Sequence, residues 1–297
     1  MASMNQKYVR SLAALLTSIV IWSASFIATK IAYRAFSPLL LCVVRFLIAS
    51  ILLFVIRIVT GTHRPLVKND RRNVFLSALC GITIYYLLEN TGVYLTSAGN
   101  ASIITAVYPI ATILIGAVVF HERVPSAQVI GILIAIGGIV VLTIDPVGEG
   151  GRNAMIGNLL MIFNGFMWGM YNYLTQRVSE ETSTYDLTFY QAVIGTVLFL
   201  PVMVFELPLS IGPIDHSVLL AIGFLSAFCS VAAYFLYNYG LRGVSAGTAA
   251  SLLNLMPVFG LVFSSLILHE PILPRQILGA GLVILGVITA SHHSLHS

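Results

Sequence analysis

The sequence predicts an all-α polytopic membrane protein of ten transmembrane helices, built as two inverted five-helix repeats. Three observations predict it. Of 297 residues, 58% are hydrophobic and 9% charged, where a soluble domain carries about 25% charged residues. So few charges cannot cover a water-facing surface, and most of that surface must face lipid. The apolar residues fall into runs near the ~20 residues that a spanning helix needs. The second half of the chain also repeats the first.

In order, the runs cover 11–33, 37–59, 74–96, 98–120, 126–145, 155–177, 184–206, 217–240, 246–268 and 274–291. Turn-forming residues separate them: FSP at 36–38, TSAG at 96–99, ERVPS at 122–126, DPVGEGG at 145–151 and SIGPID at 210–215. The first run contains a small-residue triplet at 23–25 that suits leader cleavage. The run continues past it and the repeat needs it, so it reads as a span. The longest extramembrane stretch, 60–73, holds 14 residues, too few for a domain.

Lys and Arg in the loops set the orientation. With the N-terminus inside, the inner side carries Lys7, Arg10, Arg57, Arg64, Lys68, Arg71, Arg72, Arg123, Arg177 and Arg242. The outer side carries Lys30, Arg34, Arg152 and Arg275. This predicts a cytoplasmic (inner) membrane protein with both termini in the cytoplasm. The net charge of +4 orients helices in lipid and gives no sign of nucleic acid. Cys42, Cys80 and Cys229 lie in apolar runs and read as small core residues without a disulfide framework.

The repeat aligns Pro109 with Pro257 at an offset of 148. Without a gap, Tyr86 then falls on Tyr234, Asn90 on Asn238, Gly92 on Gly240, the SAG triplet at 97–99 on that at 245–247, His121-Glu122 on His269-Glu270, Gln128 on Gln276, Gly131 on Gly279 and Gly138 on Gly286. Upstream, an offset of 146 puts Trp22 on Trp168 and Thr29 on Thr175. Residues 1–145 and 153–291 are thus two copies of one unit. Five spans is an odd number, so the second copy enters the membrane from the other side. Inverted repeats related by an axis in the membrane plane are a transporter design.

These residues resemble the EamA family of the drug/metabolite transporter superfamily. The likeness rests on Trp22, on SPLLLCVVRF into the second span, and on SAGNASIITAVYPI…HERV…Q…G with its echo SAGTAASLLNLMPVF…HEPILPRQILGAGLVILG. It covers nearly the whole chain. The resemblance implies ten spans and export or exchange of a small metabolite. It also implies a cavity lined by the first, third, fourth, sixth, eighth and ninth spans. Amino acids are the substrates of the best-understood members.

Residues at i, i+3 and i+4 share a helix face. That groups Tyr86, Glu89 and Asn90 in the third span, and Tyr234, Tyr237 and Asn238 in the eighth. The sixth offers Asn164, Trp168 and Asn172, the first Ser18, Trp22 and Phe26, and the ninth Asn254. A polar amide facing lipid is costly, so the asparagines should point inward, as substrate contacts or as interhelical ties. The tryptophans sit near mid-span, away from the interfacial belt, and suit core packing as well as ligand contact. Pro109 and Pro257 lie inside their spans and mark hinges or static kinks, with Tyr108 and Met256 beside them.

Three charges fall within the membrane limits: Lys30, Arg45 and Glu89. A charge there must be paired or wetted, and Glu89 could pair with either cation. Their repeat partners Gln176, Gln191 and Tyr237 are neutral. The small-residue stripes at 131–138 and 279–286 suit peripheral helix packing or a homodimer face. The SAG phrases read as close-packing starts of spans four and nine. The doubled His-Glu lacks the HExxH spacing and reads as a tie at a turn. The 292–296 tail reads as solvated.

An enzyme would need clustered acid, base or metal groups, and the membrane segments show one carboxylate, Glu89, and no histidine. No P-loop is present, and neither a metal nor a cofactor is called for. The reading is a secondary transporter of a small organic solute, with amino acids first and lipophilic cations as the alternative. Nucleotide sugars or sugar phosphates would want more cavity cations than Lys30 and Arg45.

Overall fold

The computed structural model describes residues 2–61, 65–96, 101, 104–143, 151–207, 209–268 and 274–292. The first SAG phrase, the loop at 144–150, the second His-Glu pair and the last five residues of the tail lie outside the described residues. Every regular element among the described residues is helical.

The first rod is α1 (Ala2–Ser23), which bends at Ala24 into α2 (Ser25–Ala32). Ser37 caps α3 (Pro38–Val59) by accepting from the Leu40 N–H at 3.2 Å, with proline in the first turn where no donor is missed. The next rod joins α4 (Arg71–Ala78), a π-helical stretch Leu79–Ile84 and α5 (Tyr85–Leu95). A 3₁₀ turn, Thr105–Val107, leads into α6 (Tyr108–Val119), followed by α7 (Ser126–Thr143).

The second half runs α8 (Gly151–Gln176), then α9 (Thr184–Phe199). After them come α10 (His216–Gly223), a second π-helical stretch Phe224–Ala232, and α11 (Ala233–Gly240). Next are α12 (Ala246–Leu252), a second 3₁₀ turn Leu253–Leu255, α13 (Met256–Leu268) and α14 (Pro274–His292). Ser245 of the second SAG phrase caps α12, accepting from the Thr248 N–H at 3.1 Å. In the first His-Glu turn, His121 takes a left-handed φ of 56° and the Glu122 N–H closes on the Gly116 carbonyl at 2.9 Å.

Four stretches are long and apolar enough to cross a membrane among the described residues: Gln6–Ala32, Pro38–Val59, Lys68–Leu95 and His216–Gly240. Shorter apolar helices occur at Tyr108–Val119, Ser126–Gly138, Ala246–Gly260 and Ile277–Ala290. Large apolar side chains such as Phe54, Leu133, Phe163 and Ile277 stand exposed, as a lipid-facing wall requires.

The local irregularities repeat. The two 3₁₀ turns are 148 apart, and the π-helical stretches overlap at the same offset. The prolines explain the 3₁₀ turns. Pro109 and Pro257 have no N–H for the carbonyl four residues earlier, on Thr105 and Leu253. The preceding residues Tyr108 and Met256 donate to those carbonyls instead, tightening one turn. The prolines therefore stand in the first turn of a restarted helix.

Contacts between the halves are reciprocal. A Cβ built on Gly138 would stand 2.7 Å from the Gly279 carbonyl, and one on Gly286 would stand 2.5 Å from the Gly131 carbonyl. Those four glycines hold α7 and α14 backbone to backbone within one chain. Gly92 of α5 meets Gly157 and Met161 of α8, while Gly240 of α11 meets the equivalent Ser11 and Leu15 of α1. Two close-packed cross-half pairs result: α1 with α11, and α5 with α8.

Candidate functional site

The two tryptophans define the centre. Trp22 ends α1 just before the bend, and Trp168 lies in α8. Their rings meet at 5.4 Å and 83°. Tyr86 and Tyr234 meet at 6.3 Å. Each pair joins repeat equivalents, and equivalents that touch must lie on the axis relating the halves. The indole N–H groups are held: Trp22 Nε1 donates to the Cys229 carbonyl at 3.0 Å, and Trp168 Nε1 to the Tyr237 hydroxyl at 3.3 Å.

Beside this aromatic cluster lies a narrow cavity of about 20 Å³, room for roughly one water molecule. Of the residues singled out from the sequence, Trp22, Tyr86, Glu89, Tyr108 and Trp168 line it, as does Met256. Ser25, Tyr85, Thr105 and Leu253 complete the lining and were not anticipated. Signals for them exist. Tyr85 stands one turn from Glu89 and donates to its Oε1 at 2.9 Å. Thr105 and Leu253 are the residues four before the prolines. The lining comes from the first, third, fourth, sixth and ninth rods.

The remaining predicted residues do not line this cavity. Tyr234 donates to the Gly81 carbonyl at 2.8 Å, and Tyr237 accepts from Trp168. Asn90 donates to the Pro38 carbonyl at 3.2 Å and to Cys42 Sγ at 3.1 Å. Asn238 sits in a network with Tyr171, Thr188 and Gln191 at 2.5, 3.0 and 2.9 Å. Asn164 donates to the Tyr108 hydroxyl at 2.9 Å and so steadies a lining residue. Asn172 and Asn254 are fully buried, and both amide atoms of Asn254 lack a partner among the described residues.

The ion pair expected for Glu89 is not formed with either cation among the described residues. Lys30 instead donates to the carbonyls of Val93 and Thr96, at 2.6 and 3.0 Å, at the end of α5. Its equivalent Gln176 donates to the equivalent carbonyls of Leu241 and Val244, at 3.1 and 2.6 Å, after α11. Arg45 is 1% exposed; it donates to Ser230 Oγ at 2.5 Å and to the Tyr86 hydroxyl at 3.1 Å. A further carboxylate was overlooked in the sequence. Asp186 is buried in the first turn of α9 and pairs with Arg57 at 3.5 Å. It lies away from the cavity, so the lining still holds a single acid.

Helical elements with an apolar exterior, and an aromatic-lined cavity where two repeated halves meet, are the architecture of an integral membrane transporter. The model of the EamA-like transporter family matches residues 10–144 and 155–291, and the chain belongs to that family. It is 30% identical over 272 residues to an uncharacterized transporter, YyaM, of Bacillus subtilis, covering 90% of this chain and 89% of that protein. It is 28% identical over 289 residues to a probable amino-acid metabolite efflux pump of Escherichia coli, covering 91% and 90%. A probable terminal-alkyne amino-acid exporter of Streptantibioticus cattleyicolor is 26% identical over 288 residues, with 95% and 93% covered. A crystal structure shares the fold, with a TM-score of 0.78 over 99% of both chains at 19% identity.

Proposed function

We propose that the chain exports a small organic metabolite of the amino-acid class by alternating access, through the cavity between its two inverted five-span halves. Ten spans with both termini in the cytoplasm place the Lys30 end outside and the Gln176 end inside. The observation that carries the reading is the pair of reciprocal polar latches. The close-packed pairs α1 with α11 and α5 with α8 act as two rigid units. Lys30 joins them at one end and Gln176 at the other. Rocking one unit against the other releases one latch while keeping its counterpart, so the cavity opens to one side at a time.

The lining favours a solute with an apolar or aromatic body and an amine. Five aromatic rings, those of Trp22, Tyr85, Tyr86, Tyr108 and Trp168, surround Glu89. No cation lines the cavity among the described residues, which speaks against nucleotide sugars and sugar phosphates. The names of the amino-acid exporters among the relatives support the same class. Glu89 as the one charged lining residue also supports a second reading, efflux of lipophilic cations. Counterflow in proteoliposomes with amino acids, amines and sugar phosphates tests the substrate class. Cysteines placed at Glu122 and Glu270 test the inversion: impermeant labelling from the same side would refute it.

A further inference from the structure

Resting on the amino-acid reading above, we infer that Glu89 and Tyr86 form a two-point clamp for a zwitterion, with Arg45 acting through Tyr86 as the positioning residue. Glu89 would take the ammonium group. The Tyr86 hydroxyl would donate to the carboxylate while accepting from Arg45.

Buried charges are normally paired with an opposite charge. Here Arg45 and Glu89 feel each other electrostatically, yet neither forms a direct salt bridge among the described residues. Glu89 faces the cavity. Arg45 stands one hydrogen bond behind it, 3.1 Å from the Tyr86 hydroxyl, with its guanidinium carbon 4.4 Å from the Tyr86 ring centroid. A phenol has one proton to donate and lone pairs to accept with. Accepting from a guanidinium leaves its proton for a carboxylate and strengthens that bond. Tyr86 and Glu89 are three residues apart, on one helix face, with Cβ atoms about 5–6 Å apart.

The second half supplies an internal control. The equivalents of Arg45, Tyr86 and Glu89 are Gln191, Tyr234 and Tyr237. Gln191 donates to Ser77 Oγ at 2.8 Å and Thr175 Oγ1 at 3.1 Å. Tyr234 is held by the Gly81 carbonyl and Tyr237 by Trp168. The same fold position is thus packed by neutral side chains, each tied to a neighbouring helix. Packing alone does not require the charges of the first half, and of the two sets only the first half's Tyr86 and Glu89 line the cavity.

The test uses three matched probes: L-phenylalanine, phenethylamine, which lacks the carboxylate, and hydrocinnamate, which lacks the amine. The chain has two tryptophans and both line the cavity, so their fluorescence reports binding to the purified full-length protein. The clamp predicts that Tyr86→Phe lowers the phenylalanine-to-phenethylamine affinity ratio by about tenfold or more. Arg45→Gln should move the ratio in the same direction, and it substitutes the side chain that the other half already carries. Glu89→Gln should weaken phenylalanine and phenethylamine together relative to hydrocinnamate. Wild-type binding with a ratio unmoved by both Tyr86→Phe and Arg45→Gln overturns the clamp and leaves the amino-acid reading standing. Failure of the wild type to bind phenylalanine or any other amino acid overturns that reading and the clamp with it.

Discussion

Lys30→Met should open the cavity toward the Lys30 end. The ammonium makes two charge-assisted hydrogen bonds, to the Val93 and Thr96 carbonyls. Such bonds contribute about 1.5–3 kcal/mol each. Lys30 is only half-buried, so the lower figure applies, and two bonds give about 3 kcal/mol. At about 1.4 kcal/mol per tenfold, the closed-to-open ratio at that end falls by roughly two orders of magnitude. Thr96 also donates to Asn158 at 2.9 Å, but that bond lies within the α5 and α8 unit and survives rocking. The assay places a reporter thiol by Ser25→Cys, in a chain whose native cysteines are replaced by alanine, and measures labelling by an impermeant maleimide applied from outside. Lys30→Met should label about 10–100 times faster, and Lys30→Gln should fall between. An unchanged rate in Lys30→Met would refute the latch.

Other outcomes follow from the same geometry. Gly138→Val pushes a side chain toward the Gly279 carbonyl, a Cβ there standing 2.7 Å away, and should cost about 1–3 kcal/mol; an unchanged melting temperature in detergent contradicts the close-packing account. Glu89→Gln should lower transport in proteoliposomes by about tenfold or more, and unaltered rate and pH dependence would exclude proton coupling through this carboxylate. Asp215 caps α10; the Ser217 hydroxyl and the Val218 N–H that donate to it, at 2.6 and 2.9 Å, hold its carboxyl below the usual aspartate range. Its folded value is depressed, so the stabilisation is present above the unfolded value near 3.9 and fades as pH falls through the lower folded value. The melting difference between wild type and Asp215→Ala should accordingly shrink on acidification, and a difference that grows would reverse the assignment.

Composition and the 148-residue echo were enough to read the fold class and the repeat, because both depend on patterns long in sequence. The tryptophan pair could be placed for the same reason: an equivalent position in each half implies a meeting at the axis. The site was less legible where helix phase changes. A π-helical stretch shifts every later residue around the helix, and nothing in LCGITI announces one. The stripe of Tyr86, Glu89 and Asn90 lies wholly within the regular helix α5 and keeps its internal phase, but the π-helical stretch before it sets which way the stripe faces. In the structure Asn90 turns to the Pro38 carbonyl and Tyr85 takes a place in the lining. The asparagines were ambiguous because an amide that must avoid lipid can equally meet a solute or a neighbouring helix. The Lys30 tie was not legible because carbonyls left open at a helix end do not show in side-chain chemistry.

The two ends of the cavity are tied by different chemistry but to similar extent. Between the rigid units, the Lys30 end has two charge-assisted bonds and one neutral bond, from the Tyr33 hydroxyl to the Asn90 carbonyl at 2.7 Å. The Gln176 end has two neutral bonds, one charge-assisted bond from Arg242 to the Thr182 carbonyl, and the exposed Lys7–Glu180 pair at 3.1 Å. With about 1 kcal/mol for a neutral bond and about 1.5 for a charged one, the ends differ by about 1 kcal/mol or less, the exposed pair being screened by solvent. Alternating access needs that balance, since a solute can tilt an equilibrium only by its differential affinity for the two states. The charge lost where Gln176 replaces lysine is made up by Arg242. Arg242→Met should therefore expose the cavity to the Gln176 end as Lys30→Met exposes it to the other. The double variant should move labelling back toward balance but keep a bias of about tenfold toward the Lys30 end, since about 3 kcal/mol is lost there and about 1.5 at the other end, with both rates above wild type. A double variant that still labels from one side alone would show that the ends are not balanced by these bonds.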